Sequence, residues 1–320
     1  MRKSFLAGAA MIVAAAAMGP ATANHSWSNY HWNLSAAGSP TINFRYNTAS
    51  VWLANNSDGN TNFILGSIAD WETPPSGTDH LSLSASYDPS LDRNSCTPNT
   101  GEATYCSDTY GNNGWLGIAG IYANRDGHIT AGYVKLNDTY FRVGGSYDTF
   151  SDRALVACQE VGHVFGLGHQ NENFNTDETD SCMEYTSNPV GNEDPDAHDW
   201  EQLDAIYTAH AAEGSGGGGG KPGKGGGGGG GGKGGGKGGG KPDKGAIAGH
   251  ADAMTFREVG QIRQSSGRDH PVFGTPVGWD AQGRPNVFKK LRGNLTEVVH
   301  VTWVPGYQPE GEHHGDDHAH

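Results

Sequence analysis

The feature that most constrains this chain is a stretch of glycine and lysine at residues 214–245. Glycine has no side chain to bury, and the interspersed lysines repel one another, so the stretch predicts a disordered, flexible linker. It divides the sequence into two parts that must fold without it. Residues 24–213 are long enough for one domain, and residues 246–320 predict a small β module that ends in a His-rich tail.

The N-terminus has the three parts of a secretory signal. Arg2 and Lys3 precede an apolar run, and small residues lead to an expected cleavage site before Asn24. The apolar run is too short to cross a bilayer comfortably, so we expect no stable membrane insertion. The sequence therefore predicts a signal peptide over residues 1–23 and a secreted, extracellular protein.

The four cysteines agree with export. An even number in an oxidising compartment favours two disulfides, and four cysteines permit three pairings. Pairing Cys96 with Cys106 would close a short loop, and we favour it.

The charge is concentrated in the first part of the chain. Residues 24–213 carry 6 Lys and Arg against 25 Asp and Glu, a formal net charge of −19. Such a field repels nucleic acid and anionic membranes and favours cations such as Ca²⁺ or basic substrates, although solubility alone explains most of it. We expect a monomer that acts on protein or peptide substrates and binds no nucleic acid.

Hydrophobic periodicity predicts strands and helices in alternation, which is typical of an α+β domain. A turn containing Asp-Gly joins two apolar runs and indicates a hairpin. Residues 90–113 are rich in turn formers and predict an irregular surface excursion. The predicted elements are a strand at 41–47, a helix at 61–71, a strand at 81–87, and hairpin strands at 115–122 and 129–137.

The segment that ends at Gly166 carries the strongest chemical pattern. If it is a helix, Gln159 and His163 are four residues apart and lie on one face, with Glu160 beside them. Gly166 can adopt the positive φ that ends a helix, and the turn there would return His169 to the same point. Such convergence of imidazoles and a carboxylate is typical of a metal site.

This pattern, together with a methionine further along the chain, resembles the metzincin clan of zinc endopeptidases. Their signature is His-Glu-x-x-His-x-x-Gly-x-x-His followed by a methionine turn. The matching residues are Glu160, His163, Gly166, His169 and Met183.

The resemblance implies a role for each matching residue. His163 and His169 would bind Zn²⁺, and Glu160 would be the general base in peptide hydrolysis. Met183 would lie in the turn beneath the metal. Tyr185 looks like the tyrosine that, in astacins and serralysins, approaches the metal or the oxyanion.

Gln159 departs from the signature, because it stands where the family has its first ligand histidine. Its neutral amide oxygen is a weaker zinc donor than imidazole. Gln159 could itself be the third ligand, or another histidine, such as His198 or His128, could complete the site. Alternatively, the chain could be an inactive relative that kept the scaffold. His198 precedes a predicted helix and is the stronger substitute, as a ligand or as a hydrogen-bond donor behind the ligands.

Two further expectations follow from the resemblance, and a third follows from composition. A disulfide between Cys158 and Cys182 would tie the ligand helix to the methionine turn. Residues 129–137 would form an edge strand that binds extended substrate by β-augmentation. The oxygen-rich loop 170–180 is a candidate Ca²⁺ site, although its spacing fits no EF-hand.

Together these observations predict a metzincin-like α+β fold over residues 24–213, with a mixed twisted sheet, a ligand helix and a C-terminal helix. The linker and the small β-rich module would follow. The predicted function is a secreted zinc metalloendopeptidase with Glu160 as general base. The alternative is a catalytically inactive secreted binding protein on the same scaffold.

Overall fold

The computed structural model describes residues 25–28, 30–33, 40–53, 61–72, 74, 81–174, 180–215, 270 and 272–309. The predicted signal peptide, almost all of the predicted linker and the His-rich tail lie outside the described residues.

Nine strands form one mixed sheet, in the order β3-β2-β4-β6-β5-β9-β8-β7, and β1 pairs with the start of β6. Strands β1, β2, β3, β4 and β6 are parallel, whereas β5, β9, β8 and β7 follow as an antiparallel meander. The strands are β1 His31–Trp32, β2 Thr41–Asn47, β3 Ser82–Tyr87, β4 Glu102–Asp108, β5 Trp115–Ala123, β6 His128–Asn137, β7 Thr275–Trp279, β8 Pro285–Arg292 and β9 Leu295–Trp303.

The helices pack beside this sheet and confirm an α+β architecture. A 3₁₀ turn covers Ser50–Trp52, and the α-helices are α1 Phe63–Asp70, α2 Asp138–Phe141, α3 Phe150–Val164 and α4 Ala197–Ser215. None of the helices in the described part of the chain is long and apolar enough to span a bilayer.

The C-terminal strands lie in the same sheet as the N-terminal part of the chain. Strand β9 pairs antiparallel with β5 from Trp115↔Trp303 to Ala123↔Thr296, and β8 and β7 continue outward from it. This corrects the separate C-terminal module predicted from the sequence. The three C-terminal strands form a short antiparallel sheet whose strand β9 would expose unpaired backbone groups, and pairing with β5 satisfies them.

Two other predictions about the sheet are wrong. The segment predicted as an irregular excursion contains β4, a central strand in which Ala103 and Tyr105 are fully buried. The turn formers around β4 concealed a short buried strand. Strand β6, predicted as the substrate-binding edge, lies between β4 and β5. The predicted hairpin of β5 and β6 is confirmed.

Each face of the sheet has its own apolar core. On one face, helices α1, α3 and α4 cover a core that includes Trp52, Trp71 and Phe165. On the other face, side chains of β5, β8 and β9 pack around Trp115 and Trp303. Because helix α3 lies directly on β5 and β6, any side chain on its lower face points at the sheet.

Both predicted disulfides are confirmed. Cys96 bonds to Cys106 and Cys158 bonds to Cys182, and no cysteine is left free. The second bond joins the middle of α3 to the turn that carries Met183, so it holds that turn against α3.

Candidate metal centre

Helix α3 carries the candidate residues, and a cap at its start and a close contact near its end hold it in place. The Thr149 hydroxyl accepts from the Asp152 N–H at 3.1 Å and caps the first turn. Gly162 allows Met183 and Trp71 to approach, since a Cβ there would overlap the methionine sulfur and the indole. The helix is therefore held closely against its neighbours along the length that carries Gln159 and His163.

The turn after α3 returns the chain toward the helix, as predicted. Gly166 has φ +97°, and a Cβ there would overlap the backbone oxygen of Tyr30. Only glycine fits this conformation and this contact without strain. The turn brings His169 back to His163, with the two Nε2 atoms 3.1 Å apart.

The hydrogen bonds on the far side of each ring place two lone pairs face to face. His163 Nδ1 donates to the Leu167 carbonyl at 2.8 Å, and His169 Nδ1 donates to the Glu172 carboxylate at 3.2 Å. Since both acceptors can only accept, each Nδ1 carries a hydrogen, and in the neutral form of an imidazole the lone pair then lies on Nε2. Two such lone pairs repel unless a cation or a proton lies between them.

A third imidazole completes the group, and it comes from β9. His163, His169 and His300 each offer one nitrogen within 4.8 Å of the others, and all three side chains are buried. The His300 ring stacks on His163 with centroids 3.9 Å apart, and Trp27 packs against it at 5.0 Å. The Nδ1 of His300 has no hydrogen-bond partner among the described residues.

The surroundings favour the neutral form of His163 and His300. Burial lowers the pKa of His163 well below its ordinary value, and the neighbouring His169 lowers it further. Burial also lowers the pKa of His300, with a smaller contribution from the other two histidines. Neutral imidazole is the form that binds a metal.

Glu160 lies one helical turn before His163 on α3 and faces β5. It is fully buried, and a Cβ at Gly117 of β5 would overlap its carboxyl. Neither of its oxygens has a well-formed hydrogen bond within the described part of the chain. Burial raises the pKa of Glu160 to about 8, and the nearby Thr302 hydroxyl partly offsets the rise. A buried carboxyl whose oxygens accept no hydrogen bond is unusual outside functional sites.

Both polar atoms of the Gln159 side chain are already hydrogen-bonded to the protein, so the prediction that Gln159 is a metal ligand is not supported. Its Nε2 donates to the carbonyls of Cys182 at 2.9 Å and Glu184 at 3.1 Å. Its Oε1 accepts from the Thr302 hydroxyl at 2.9 Å. Gln159 therefore links the ligand helix to the methionine turn and to β9.

Met183 and Tyr185 both contact parts of the chain that carry the histidines. Met183 is fully buried beneath Gly162 of α3. The Tyr185 ring packs against His169 with centroids 3.8 Å apart. Its hydroxyl, however, donates to the Val301 carbonyl of β9 at 2.9 Å. The tyrosine thus contacts the group of His163, His169 and His300, called the metal group below, through its ring. It contacts β9 through its oxygen.

The two substitute histidines predicted from the sequence lie elsewhere. His198 stacks on His25 with centroids 4.9 Å apart, and His128 contacts His31 at 5.0 Å. Neither belongs to the group of His163, His169 and His300. His198 reaches the backbone beside His169 only through His25. His198 stacks on His25, and His25 Nδ1 donates to the carbonyl of Gly168, the residue before His169.

The oxygen-rich loop predicted as a calcium site is only partly described, because residues 175–179 lie outside the described residues. At its start, Glu172 accepts from His169 and from Asn286 of β8, the latter at 2.9 Å. Asn171 donates to Glu184 at 3.1 Å. These oxygens are engaged with the protein, and the Ca²⁺ prediction stays a prediction.

The donor set fits zinc. Zinc accepts imidazole nitrogens at about 2.0–2.1 Å in tetrahedral geometry, which places two ligand nitrogens roughly 3.3 Å apart. The two Nε2 atoms at 3.1 Å are close to that spacing. Hydrogen bonds from Nδ1 to a carbonyl and a carboxylate are the arrangement that orients metal-binding histidines. His163, His169 and His300 would therefore hold the ion.

His300 and Thr302 were missed from the sequence, although a signal was present. In β9 both residues interrupt a run of valines, Val298-Val299-His300-Val301-Thr302. A lone histidine in an apolar strand is either surface-exposed or a buried polar group that needs a partner. The period of the strand places it with buried Val298 and so indicates the second case.

No protein-family model matches the chain, and no curated protein or solved structure gives a significant match.

Proposed function

We propose that this protein is a secreted zinc-dependent endopeptidase whose third metal ligand is His300. The proposal is carried by one observation, the convergence of three buried imidazoles, one of which, His163, lies one helical turn after the fully buried Glu160. It is supported by the resemblance of the ligand helix and methionine turn to metzincins. The two disulfides agree with an extracellular location.

The bound zinc would supply Lewis acidity toward a peptide carbonyl. Glu160 would accept a proton from the attacking water and pass it to the departing amine. Its carboxyl packs against Gly117 of β5, the strand next to which a substrate would lie. Tyr185, whose ring packs against His169 and whose hydroxyl donates to the Val301 carbonyl, would turn that hydroxyl toward the developing oxyanion.

Metal content and proteolysis together test the proposal. The purified chain should bind about one zinc, measured by mass spectrometry of the metal, and His163→Ala should lose it. Cleavage of casein should be sensitive to chelators and should be abolished by Glu160→Gln, which should retain zinc. The matched control is Glu193→Gln, since Glu193 accepts from Ser151 at the start of the same helix, away from the metal group.

Two results would contradict the proposal. A chain that stays metal-free in excess zinc would refute the metal site. Cleavage that persists at the wild-type rate in Glu160→Gln would refute the role of the carboxyl, and a contaminating protease would explain it.

The complete burial of the metal group favours a second candidate, a secreted binding protein with a structural zinc. Structural zinc sites are closed, whereas catalytic sites keep one position open to substrate. Tight zinc binding without any proteolysis, in the wild type and in variants that loosen β9, would select this alternative.

A further inference from the structure

Strand β9 lies where β5 would otherwise be the edge of the sheet. Without β9, the order β3-β2-β4-β6-β5 ends at β5, which would expose unpaired N–H and C=O groups. Such an edge binds extended polypeptide by adding a strand. Residues 295–303 already fill this position, antiparallel to β5 and centred on the pair Ala119↔His300.

Three consecutive residues of β9, His300 to Thr302, contact the site and cover it. His300 contributes the third imidazole. The carbonyl of Val301 accepts from the Tyr185 hydroxyl at 2.9 Å, and the hydroxyl of Thr302 donates to Gln159 at 2.9 Å. Thus the backbone of β9 presents a carbonyl to the one residue that we assign to oxyanion binding.

We propose that β9 is a displaceable internal strand that occupies the edge of β5 at which an extended polypeptide substrate binds. This inference rests on the proposed function and adds its regulation. In the closed state the protein binds zinc but excludes substrate. When β9 leaves β5, an extended peptide pairs with β5 in its place. His300 leaves with the strand, so that His163 and His169 would keep the ion and the position of His300 would become free for substrate.

The burial of the site requires such a movement. Glu160 and His163 are fully buried. The adjoining cleft is bordered by Thr302 and Trp303 of β9. Neither Glu160 nor His163 lines it. Of the two strands that pair with β5, β6 also pairs with the central strand β4, whereas β9 pairs on its other side with β8, which is followed by β7 at the end of the sheet. Displacement of β9 therefore uncovers the site without breaking the central sheet.

A carboxylate on the opposite face of β9 anchors the closed state. Glu297 accepts from the hydroxyls of Tyr133 at 3.0 Å and Tyr122 at 3.3 Å, and from Arg292 at 2.7 Å. The tyrosines belong to β6 and β5, so this group ties β9 to the central strands. It is on the side of the sheet away from the metal group, and it can be altered without touching the ligands.

A reversible crosslink tests the proposal in the full-length, zinc-loaded chain. Ala123→Cys with Thr296→Cys places a cysteine on each strand at a paired position of β5 and β9. The matched control is Leu291→Cys with Thr296→Cys, which joins β9 to β8 and leaves the β5 seam free. We expect the oxidised β5–β9 variant to cleave casein at least about tenfold more slowly than the oxidised control. Reduction with a phosphine should restore the rate, and the wild type treated alike should not change.

The converse variant loosens the strand. Glu297→Ala removes the shared acceptor of two buried hydroxyls and should raise the cleavage rate by about tenfold, because the open form becomes more populated. Its zinc content should stay near one ion per chain at saturating zinc. An unchanged or lower rate in a folded, zinc-loaded Glu297→Ala protein would overturn the proposal.

Hydrogen–deuterium exchange measures the opening without reference to activity. Amides of residues 297–302 should exchange at least about tenfold faster than those of 132–136 in β6, and oxidation of the β5–β9 variant should remove the difference. Equal, slow exchange of both strands would overturn the displaceable strand. If the crosslinked and control proteins cleave casein equally, the inference fails and the proposed function stands. If no form cleaves casein, the endopeptidase proposal fails, and the exchange rates alone decide whether β9 opens.

Discussion

The role of His300 can be tested by removing its ring nitrogens and measuring zinc affinity. We expect His300→Ala and His300→Phe to weaken zinc binding by about 100-fold. Structural zinc sites with four ligands bind with an apparent free energy of about 10–16 kcal/mol, so one ligand contributes roughly 3 kcal/mol. The phenylalanine variant keeps most of the ring volume between His163 and Trp27 and separates the lost nitrogen from the lost packing.

The assay is competition for zinc against a chelating dye at fixed pH, with the unfolding of each metal-free protein measured in parallel. The matched controls are His198→Ala and His128→Ala, the two substitutes that the sequence suggests. Both lie outside the group of three histidines and should leave the affinity within about twofold of the wild type. If His198→Ala weakened zinc binding as much as His300→Ala, the assignment of the third ligand would be refuted.

Three further predictions concern the support of the site. Gln159→His should not strengthen zinc binding and should destabilise the protein by about 1–3 kcal/mol, because two buried carbonyls lose their donor; tighter zinc binding in the titration would show that the side chain can reach the ion. Gly117→Ala should destabilise by about 1–3 kcal/mol in urea unfolding, because its Cβ overlaps a buried carboxyl, whereas Gly66→Ala, with open space in α1, should stabilise by up to about 1 kcal/mol; equal effects would contradict the close contact. Replacing both Cys158 and Cys182 by alanine should cost about 3 kcal/mol, since the bond closes a separation of 24 residues; an unchanged urea midpoint would contradict this.

The local features of the site were predictable because each depends on neighbours in the sequence. The helical period put Glu160 and His163 on one helix, and Gly166 permitted the turn that returns His169. The Asp-Gly turn identified the hairpin of β5 and β6. The disulfide of Cys158 and Cys182 followed from the resemblance, which placed both residues under the site.

The third ligand was not predictable in the same way. Thr302 reaches Gln159 across a separation of 143 residues, and His300 enters through the same strand. The strand pattern of residues 295–303 indicates which side chains share a face, but it does not indicate which edge the strand joins. A substitute for the missing imidazole was therefore expected from histidines closer in sequence, His198 and His128.

The sequence by itself determined the helix, the turn and the residues able to bind a metal, because backbone propensity and side-chain spacing act over a few residues. The tertiary structure decided which histidine completes the group, because the edge of β5 accepts any strand with complementary side chains and β9 supplies one. It also decided that Gln159 binds the backbone and Thr302 instead of an ion, since the nearest polar atoms within its reach belong to the methionine turn and to β9.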